Sequence, residues 1–167
     1  MQKARPAVLP SMNQQNDNCF VCSPDNPAGL HIHFDVTGDK CHAQFCVGPE
    51  FDGYRGITHG GIQAAILDDA MANIFCRSGL PAFTVDMHIQ YRHPMFSDRL
   101  YRVDAELVRG HESRIKTTHG CITDTTTGET VTEATATFLI GRILLNTVRS
   151  DIQHECKQEE KEAGKGK

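Results

Sequence analysis

The stretch GITHGGIQAAILDDA, residues 56–70, places a His-Gly-Gly triplet before an apolar segment that contains two adjacent acids. A helix beginning at the glycines would present unpaired backbone N–H groups and a partial positive charge at that end. Because glycine has no side chain, a ligand can approach this backbone closely. Such an arrangement can stabilise a carbonyl oxygen as it becomes an oxyanion.

Helix geometry relates the glycines to the acids. Gly61 and Asp68 lie on nearly the same face, about 10 Å apart along the helix axis, and Asp69 is rotated by about 100°. The Asp68 carboxylate is therefore too far away to act on a carbonyl held by its own glycines. Two helices antiparallel across a two-fold axis would bring each glycine end to the other chain's Asp68, which predicts a homodimer with shared sites.

The competing interpretation is an ordinary helix with a solvated face. His-Gly-Gly alone is a weak motif, and paired acids in a helix usually face water. A carboxylate at an apolar interface, in contrast, could act as a general base or a nucleophile.

The elements around this stretch indicate an α+β domain. Alternating apolar residues predict strands at 29–36 and 41–47, and a helix follows from Thr58, as its cap, to about Ser78. Four long alternating runs then follow, separated by short turn signals, and strands joined in this way should pair antiparallel. The helix is apolar on several sides, so we expect the sheet to wrap around it.

Composition limits the alternatives. The chain has 167 residues and a net charge of -4, which is typical of one domain without a nucleic-acid-binding surface. It contains no apolar run of signal-peptide or membrane-spanning length, so we expect a cytoplasmic protein without a membrane partner. The predicted organisation is an irregular lead-in at 1–26, a domain at 27–145 and a charged, flexible tail at 146–167.

The segment GYRGITHGGIQAAILDDAMA, followed by TVDMHIQYRHPM, resembles the hotdog-fold acyl-CoA thioesterases, in particular their phenylacetate-pathway (PaaI-like) branch. The resemblance covers about residues 27–141, and the predicted elements come in the family's order. It implies a hotdog fold, in which an antiparallel sheet wraps around one long central helix. It also implies a homodimer and a dimer of dimers, an acyl-CoA substrate and no cofactor.

The resemblance also implies roles for single residues. Gly60 or Gly61 would supply the amide that polarises the thioester carbonyl, and His59 would orient the loop. Asp68, nine residues after His59, would be the general base or nucleophile and would act from the partner chain. Thr84 falls where relatives have a Ser or Thr that positions the water.

Other positions are candidates for substrate binding. Some relatives have an Asn six residues before the His, where this chain has Gly53, and Asp69 would support the site or face solvent. Candidates for the phosphates of CoA lie at strand ends or turns, namely Arg92, Arg99 and Arg114, although each alone resembles an ordinary surface arginine.

The cysteine pattern has no assigned role. The CFVC segment holds Cys19 and Cys22, but a single CxxC is weak evidence for zinc, and no second set of ligands has the spacing of a metal site. Possible additional donors are Cys41, Cys46 and the histidines of HIHF. We therefore expect no metal, and packing of the lead-in against the domain.

These observations predict a thioester hydrolase. Two other functions stay open: a hotdog module that binds acyl-CoA or an acyl carrier without turnover, and a hydratase or dehydratase. Dehydratases of this fold place a catalytic His with an acid on the central helix, and this helix has no His after His59.

Overall fold

The computed structural model describes residues 18–76 and 81–141. In chain order the elements are β1 (Asp35–Thr37), β2 (Lys40–Cys46), β3 (Asp52–Tyr54), β4 (Ile57–Thr58), α1 (Gly60–Cys76), β5 (Ala82–Tyr91), β6 (Leu100–Arg109), β7 (Ile115–Asp124) and β8 (Thr130–Ile140). A single 3₁₀ turn, Pro49–Phe51, precedes β3. No helix in the described ranges is long and apolar enough to cross a membrane.

One antiparallel sheet has the strand order β1-β2-β6-β7-β8-β5, and β3 pairs with β4 in a separate hairpin. The predicted α+β class, with one long helix against an antiparallel sheet, is confirmed. The expected hairpin between β5 and β6 is wrong, because β5 pairs with β8 at the far edge of the sheet. The connection instead follows the start of the helix, where the Thr58 N–H donates to the Met95 carbonyl at 2.8 Å.

The strand predicted at 29–36 is also shorter than expected. Only Asp35–Thr37 pairs with β2, because the preceding residues bond to the lead-in instead. Leu30 N–H donates to Phe20 O at 2.8 Å and Ile32 N–H to Val21 O at 2.9 Å. The described part of the lead-in, from residue 18, therefore packs on the domain. The predicted tail and the predicted end of the helix at Ser78 lie outside the described residues.

One stripe of α1 packs on the concave side of the sheet. Ile66, Leu67, Ala70 and Met71 are all 0% exposed. A side chain at Gly120 on β7 would come within 3.3 Å of Leu67 and Met71, so this glycine allows the close approach of helix and sheet. The helix contacts β1, β2, β5, β6, β7 and β8, as expected for a sheet wrapped around it.

The helix begins with an unusual cap. The Gly61 N–H donates to Nδ1 of His59 at 2.9 Å, so His59 accepts from the second helical residue as an N-cap side chain does. Since Nδ1 accepts, the proton of the neutral ring lies on Nε2. Thr58, predicted as the cap, instead lies buried in β4, and its hydroxyl has no hydrogen-bond partner among the described residues.

The cap gives a stability prediction. His59→Ala should lower the free energy of unfolding by about 1 kcal/mol, because the Gly61 N–H loses its acceptor. His59→Asn should lose less, since Asn is a favourable N-cap residue. Urea unfolding followed by circular dichroism measures the free energy of unfolding of both variants. The control is His42→Ala, at an exposed position of β2. Equal losses for the Ala and Asn variants would contradict the capping role.

Candidate active site

Two glycines lie in close contact with His59 at the start of α1. A Cβ at Gly53 would lie 3.1 Å from Cδ2 of His59, and a Cβ at Gly61 would lie 3.0 Å from its Nδ1. The His59 ring is therefore held between these two glycines. Gly53, predicted as a substrate-binding position six residues before His59, lies beside the His59 ring.

Of the two candidate amides, Gly60 has the N–H that is available to a ligand. The Gly61 N–H is bonded to His59, whereas the Gly60 N–H has no acceptor within the described residues. Tyr91, which the sequence did not single out, donates its hydroxyl to the Gly60 carbonyl at 3.0 Å. Its ring is close enough to Gly60 to form a wall beside the free amide.

A cleft with a volume of about 440 Å³ opens at this end of the helix. Four predicted site residues line it, namely Gly53, His59, Gly60 and Arg92, together with Tyr91 and others. Asp68 and Thr84 do not line this cleft. The cleft of a single chain thus contains the amide donor but not the acid.

Asp68 and Thr84 form a second group farther along the helix. The Thr84 hydroxyl donates to Oδ1 of Asp68 at 2.6 Å, and Asp68 is half-buried. This bond occupies one carboxylate oxygen in the described structure, so Oδ2 is available to a proton or a carbonyl carbon. Asp68 and Thr84, both predicted as site residues, are therefore in contact on the side of α1 next to β5.

An irregularity in β5 places Thr84 there. The register with β8 shifts between Thr84 and Asp86, which makes Val85 an extra residue in the strand. Beyond this bulge Met87 and Ile89 pack against the core, and before it Ala82 does so. Along the chain the inward-facing positions therefore change from even to odd numbers at the bulge, and Thr84, not Val85, faces the helix.

Asp69 faces a different group from Asp68. It is half-buried rather than solvent-facing, and Sγ of Cys19 lies 3.6 Å from its Oδ1. Asn73 donates to its Oδ2 at 3.2 Å. Burial raises the pKa of the Asp69 carboxyl above its ordinary value, and burial likewise raises the pKa of the neighbouring Cys22 thiol. One atom from each of Cys19, Cys22 and Asp69 could bind a metal ion.

The three predicted arginines are not brought together. Arg92 lies at the cleft, paired with Glu133. Arg99 pairs with Asp124 at 3.4 Å, and Arg114 donates to the Ile140 carbonyl at 3.1 Å beside a separate hollow of about 450 Å³. Of these three, Arg92 alone lines the cleft.

Two buried polar groups near the cleft were also missed from the sequence. Gln63 donates to the Thr58 carbonyl at 3.1 Å and accepts from the Thr132 hydroxyl, which ties the helix to β4 and β8. Asp52 accepts from the Gly56 N–H at 2.7 Å, while its Oδ1 is buried without a partner in the described part of the chain. An Asp before Gly-Tyr-Arg-Gly is a turn signal that could have indicated the Asp52 bond.

Comparisons with known proteins agree with this architecture. The chain is similar to a crystal structure of a thioesterase superfamily protein, with a TM-score of 0.68 and 20% identity over 81% of this chain and 72% of that one. It is also similar to a Streptococcus mutans UA159 protein bound to acetyl CoA (TM-score 0.60, 18% identity, 65% and 87% covered). The PaaI protein of the E. coli phenylacetic acid degradation operon gives similar values (TM-score 0.60, 18% identity, 66% and 83% covered).

The sequence comparisons match part of the chain to one family model. None of the curated protein sequences matches the chain significantly. The sequence model of the thioesterase superfamily matches residues 55–128, from the turn before the His-Gly-Gly triplet to the end of the β7–β8 turn. The chain has the hotdog fold, and its residues 55–128 are similar to the thioesterase superfamily.

Proposed function

We propose that this protein hydrolyses acyl-CoA thioesters. The observation that carries the proposal is the pairing, on one helix, of an unpaired Gly60 N–H at a cleft and an Asp68 carboxylate held by Thr84. The amide stabilises the oxyanion, and Asp68 either takes a proton from the attacking water or attacks first to form an anhydride. In the first route the tetrahedral intermediate expels the CoA thiolate, which takes up the proton held by Asp68. In the second route the thiolate leaves as the anhydride forms, and water then hydrolyses the anhydride to release the acid and restore Asp68.

The distance along α1 requires a second chain. Gly60 and Asp68 are eight residues apart, which corresponds to about 12 Å along a helix. A group that attacks the carbonyl directly can be at most about 6 Å from the oxyanion donor, and a group that acts through a water can be at most about 9 Å from it. The acid of one chain must therefore act with the amide of another.

The edge of β5 is the surface on which the second chain would pair. Among the described strands β5 pairs with β8 alone, so its other edge has unpaired backbone groups. Val85 is 56% exposed and Tyr91 is 54% exposed on this strand. We propose a two-fold pairing of β5 edges that gives a homodimer, which can assemble further into a dimer of dimers.

The substrate follows from the charges at the cleft and from the relatives. Arg92 lies at the cleft, where it could bind a CoA phosphate. The Streptococcus mutans relative is bound to acetyl CoA, and a Streptococcus pneumoniae TIGR4 relative contains Coenzyme A. These likenesses support a CoA thioester as the substrate and a relation to the PaaI-like branch.

Two structures of substituted forms of one relative support the choice of Asp68 and Thr84. Structures of a Streptococcus pneumoniae TIGR4 protein carry an Asp-to-Ala substitution in one case and a Thr-to-Ala substitution in the other, 16 positions apart. Asp68 and Thr84 are also 16 residues apart. The same spacing of the same residue types favours a shared role for the pair.

The first test removes the acid. Asp68→Asn should lower kcat by about a hundredfold or more, because the amide can neither accept a proton nor attack the carbonyl. Thr84→Val should lower kcat less, since the carboxylate is kept. Thiol release from aryl, short-chain and long-chain acyl-CoAs measures the rates, with Glu106→Gln on the exposed side of β6 as the control.

Two results would contradict this assignment. Full activity of Asp68→Asn would show that another group activates the water. If no thioester of the panel is cleaved while CoA esters bind, the protein is a binding module.

The second test asks whether two chains share each site. Gly60→Pro removes the N–H at the first helical position, where proline fits a helix, and should lower kcat by about a hundredfold. Refolding it together with Asp68→Asn should restore about a quarter of the wild-type activity, because half of the dimers are mixed and each then has one intact site. The control refolds each variant alone, and no recovery in the mixture would contradict the shared site.

A further inference from the structure

The CxxC segment of the lead-in contacts α1 at the residue next to Asp68. Sγ of Cys19, Sγ of Cys22 and a carboxylate oxygen of Asp69 all lie within 4.8 Å of one another. Backbone bonds from Leu30 and Ile32 to the residues between the two cysteines hold the segment in place. The backbone that carries the two cysteines is therefore fixed, and the three donor groups are already close together without an ion.

The distances fit a tetrahedral metal ion. Bonds of about 2.3 Å to sulfur and about 2.0 Å to oxygen, at tetrahedral angles, put a sulfur and an oxygen ligand about 3.5 Å apart. Sγ of Cys19 and Oδ1 of Asp69 are 3.6 Å apart. The Cys22 N–H also donates to Sγ of Cys19 at 3.3 Å, a bond that would stabilise a thiolate there.

The carboxylate is oriented by a neighbouring side chain. Nδ2 of Asn73 donates to Oδ2 of Asp69 at 3.2 Å and to the Asp69 carbonyl at 2.9 Å. This leaves Oδ1 directed at the cysteines. Hydrogen bonds to the oxygen that does not bind the ion are the usual support of carboxylate ligands in metal sites.

Charge favours a cation at this place. A divalent ion would supply the missing counter-charge when the thiols lose their protons. Within the described ranges no lysine or arginine bonds to Asp69, so no side-chain cation already does this.

We propose that Cys19, Cys22 and Asp69 bind one thiophilic divalent cation of the zinc class, with the fourth position taken by water. Two sulfur donors select zinc over magnesium or calcium, which prefer oxygen donors. As the two metal–sulfur bonds form, each thiol gives its proton to solvent, and the ion with two thiolates and one carboxylate has one net negative charge. This site is independent of the proposed thioester hydrolysis.

The bound ion would fasten the lead-in to the middle of α1. It explains why an irregular segment with a CxxC packs against a helix position occupied by an acid. The third donor comes from the helix, and not from Cys41, Cys46 or the histidines considered from the sequence.

The experiment measures the metal directly. The full chain, made without a histidine tag and kept reduced with a phosphine, is incubated with Zn²⁺, desalted and analysed by plasma mass spectrometry. We expect about one zinc per chain for the wild type and for Cys46→Ser, an exposed cysteine outside the cluster, and under about one tenth for Cys22→Ser. Asn73→Ala should weaken zinc affinity by about tenfold to a hundredfold.

Cobalt provides a second measurement that does not depend on stability. Co²⁺ added to the wild type should give thiolate-to-metal charge-transfer absorption and the visible bands of a tetrahedral ion. Asp69→Asn, which keeps the side-chain shape, should retain the fold by circular dichroism and shift the visible bands or lose binding.

Either of two results overturns the proposal. The first is a reduced wild-type chain that binds no zinc and shows no cobalt–thiolate absorption, in which case the cluster is a hydrogen-bonded packing contact or a redox pair. The second is a metal content that is the same in the wild type, Cys22→Ser and Asp69→Asn, which would place the ion elsewhere.

Discussion

The rotation of α1 about its own axis is the constraint on which both groups of polar residues depend. Ile66, Leu67 and Met71 are fully buried against the sheet, and each contributes about 1.5–3 kcal/mol of burial free energy. Turning the helix by one residue would expose this stripe and bury an unpaired carboxylate, which costs several kcal/mol. The apolar stripe therefore determines that Asp68 and Asp69 leave the core on two different sides.

Each of these two acids has partners that suit a different chemistry. Asp68 accepts one hydrogen bond, from a hydroxyl on an edge strand, and its other oxygen has no partner among the described residues. Asp69 receives a side-chain amide and faces two thiols, so its oxygens are already engaged in the interior of the chain. Two adjacent residues of one type thus have different surroundings because the helix turns by about 100° between them.

The sequence allowed the central helix, the four long strands and the His-Gly-Gly end to be predicted, because each depends on local periodicity or a local motif. It did not allow the pairing of β5 with β8, which depends on how the connection passes the start of the helix. The orientation of Thr84 depends on a bulge at Val85. Strict alternation along β5 would have placed the Thr84 side chain on the opposite face of the sheet. Cys19 and Asp69 are 50 residues apart and joined by irregular chain, so no periodic pattern connects them.

The lead-in also packs against the residues that precede α1. The Phe20 ring packs on that of Phe51 with centroids 6.3 Å apart, and the Phe51 carbonyl accepts from the His59 N–H at 2.9 Å. The same lead-in contacts Asp69 through Cys19, about 15 Å farther along the helix. A helix is rigid over this length. The contacts at Phe51 and at Asp69 therefore keep the Gly60 amide and the Asp68 carboxylate at fixed positions relative to the sheet. A site divided between two chains needs such rigidity, since each chain must present both halves in a geometry that the other can match.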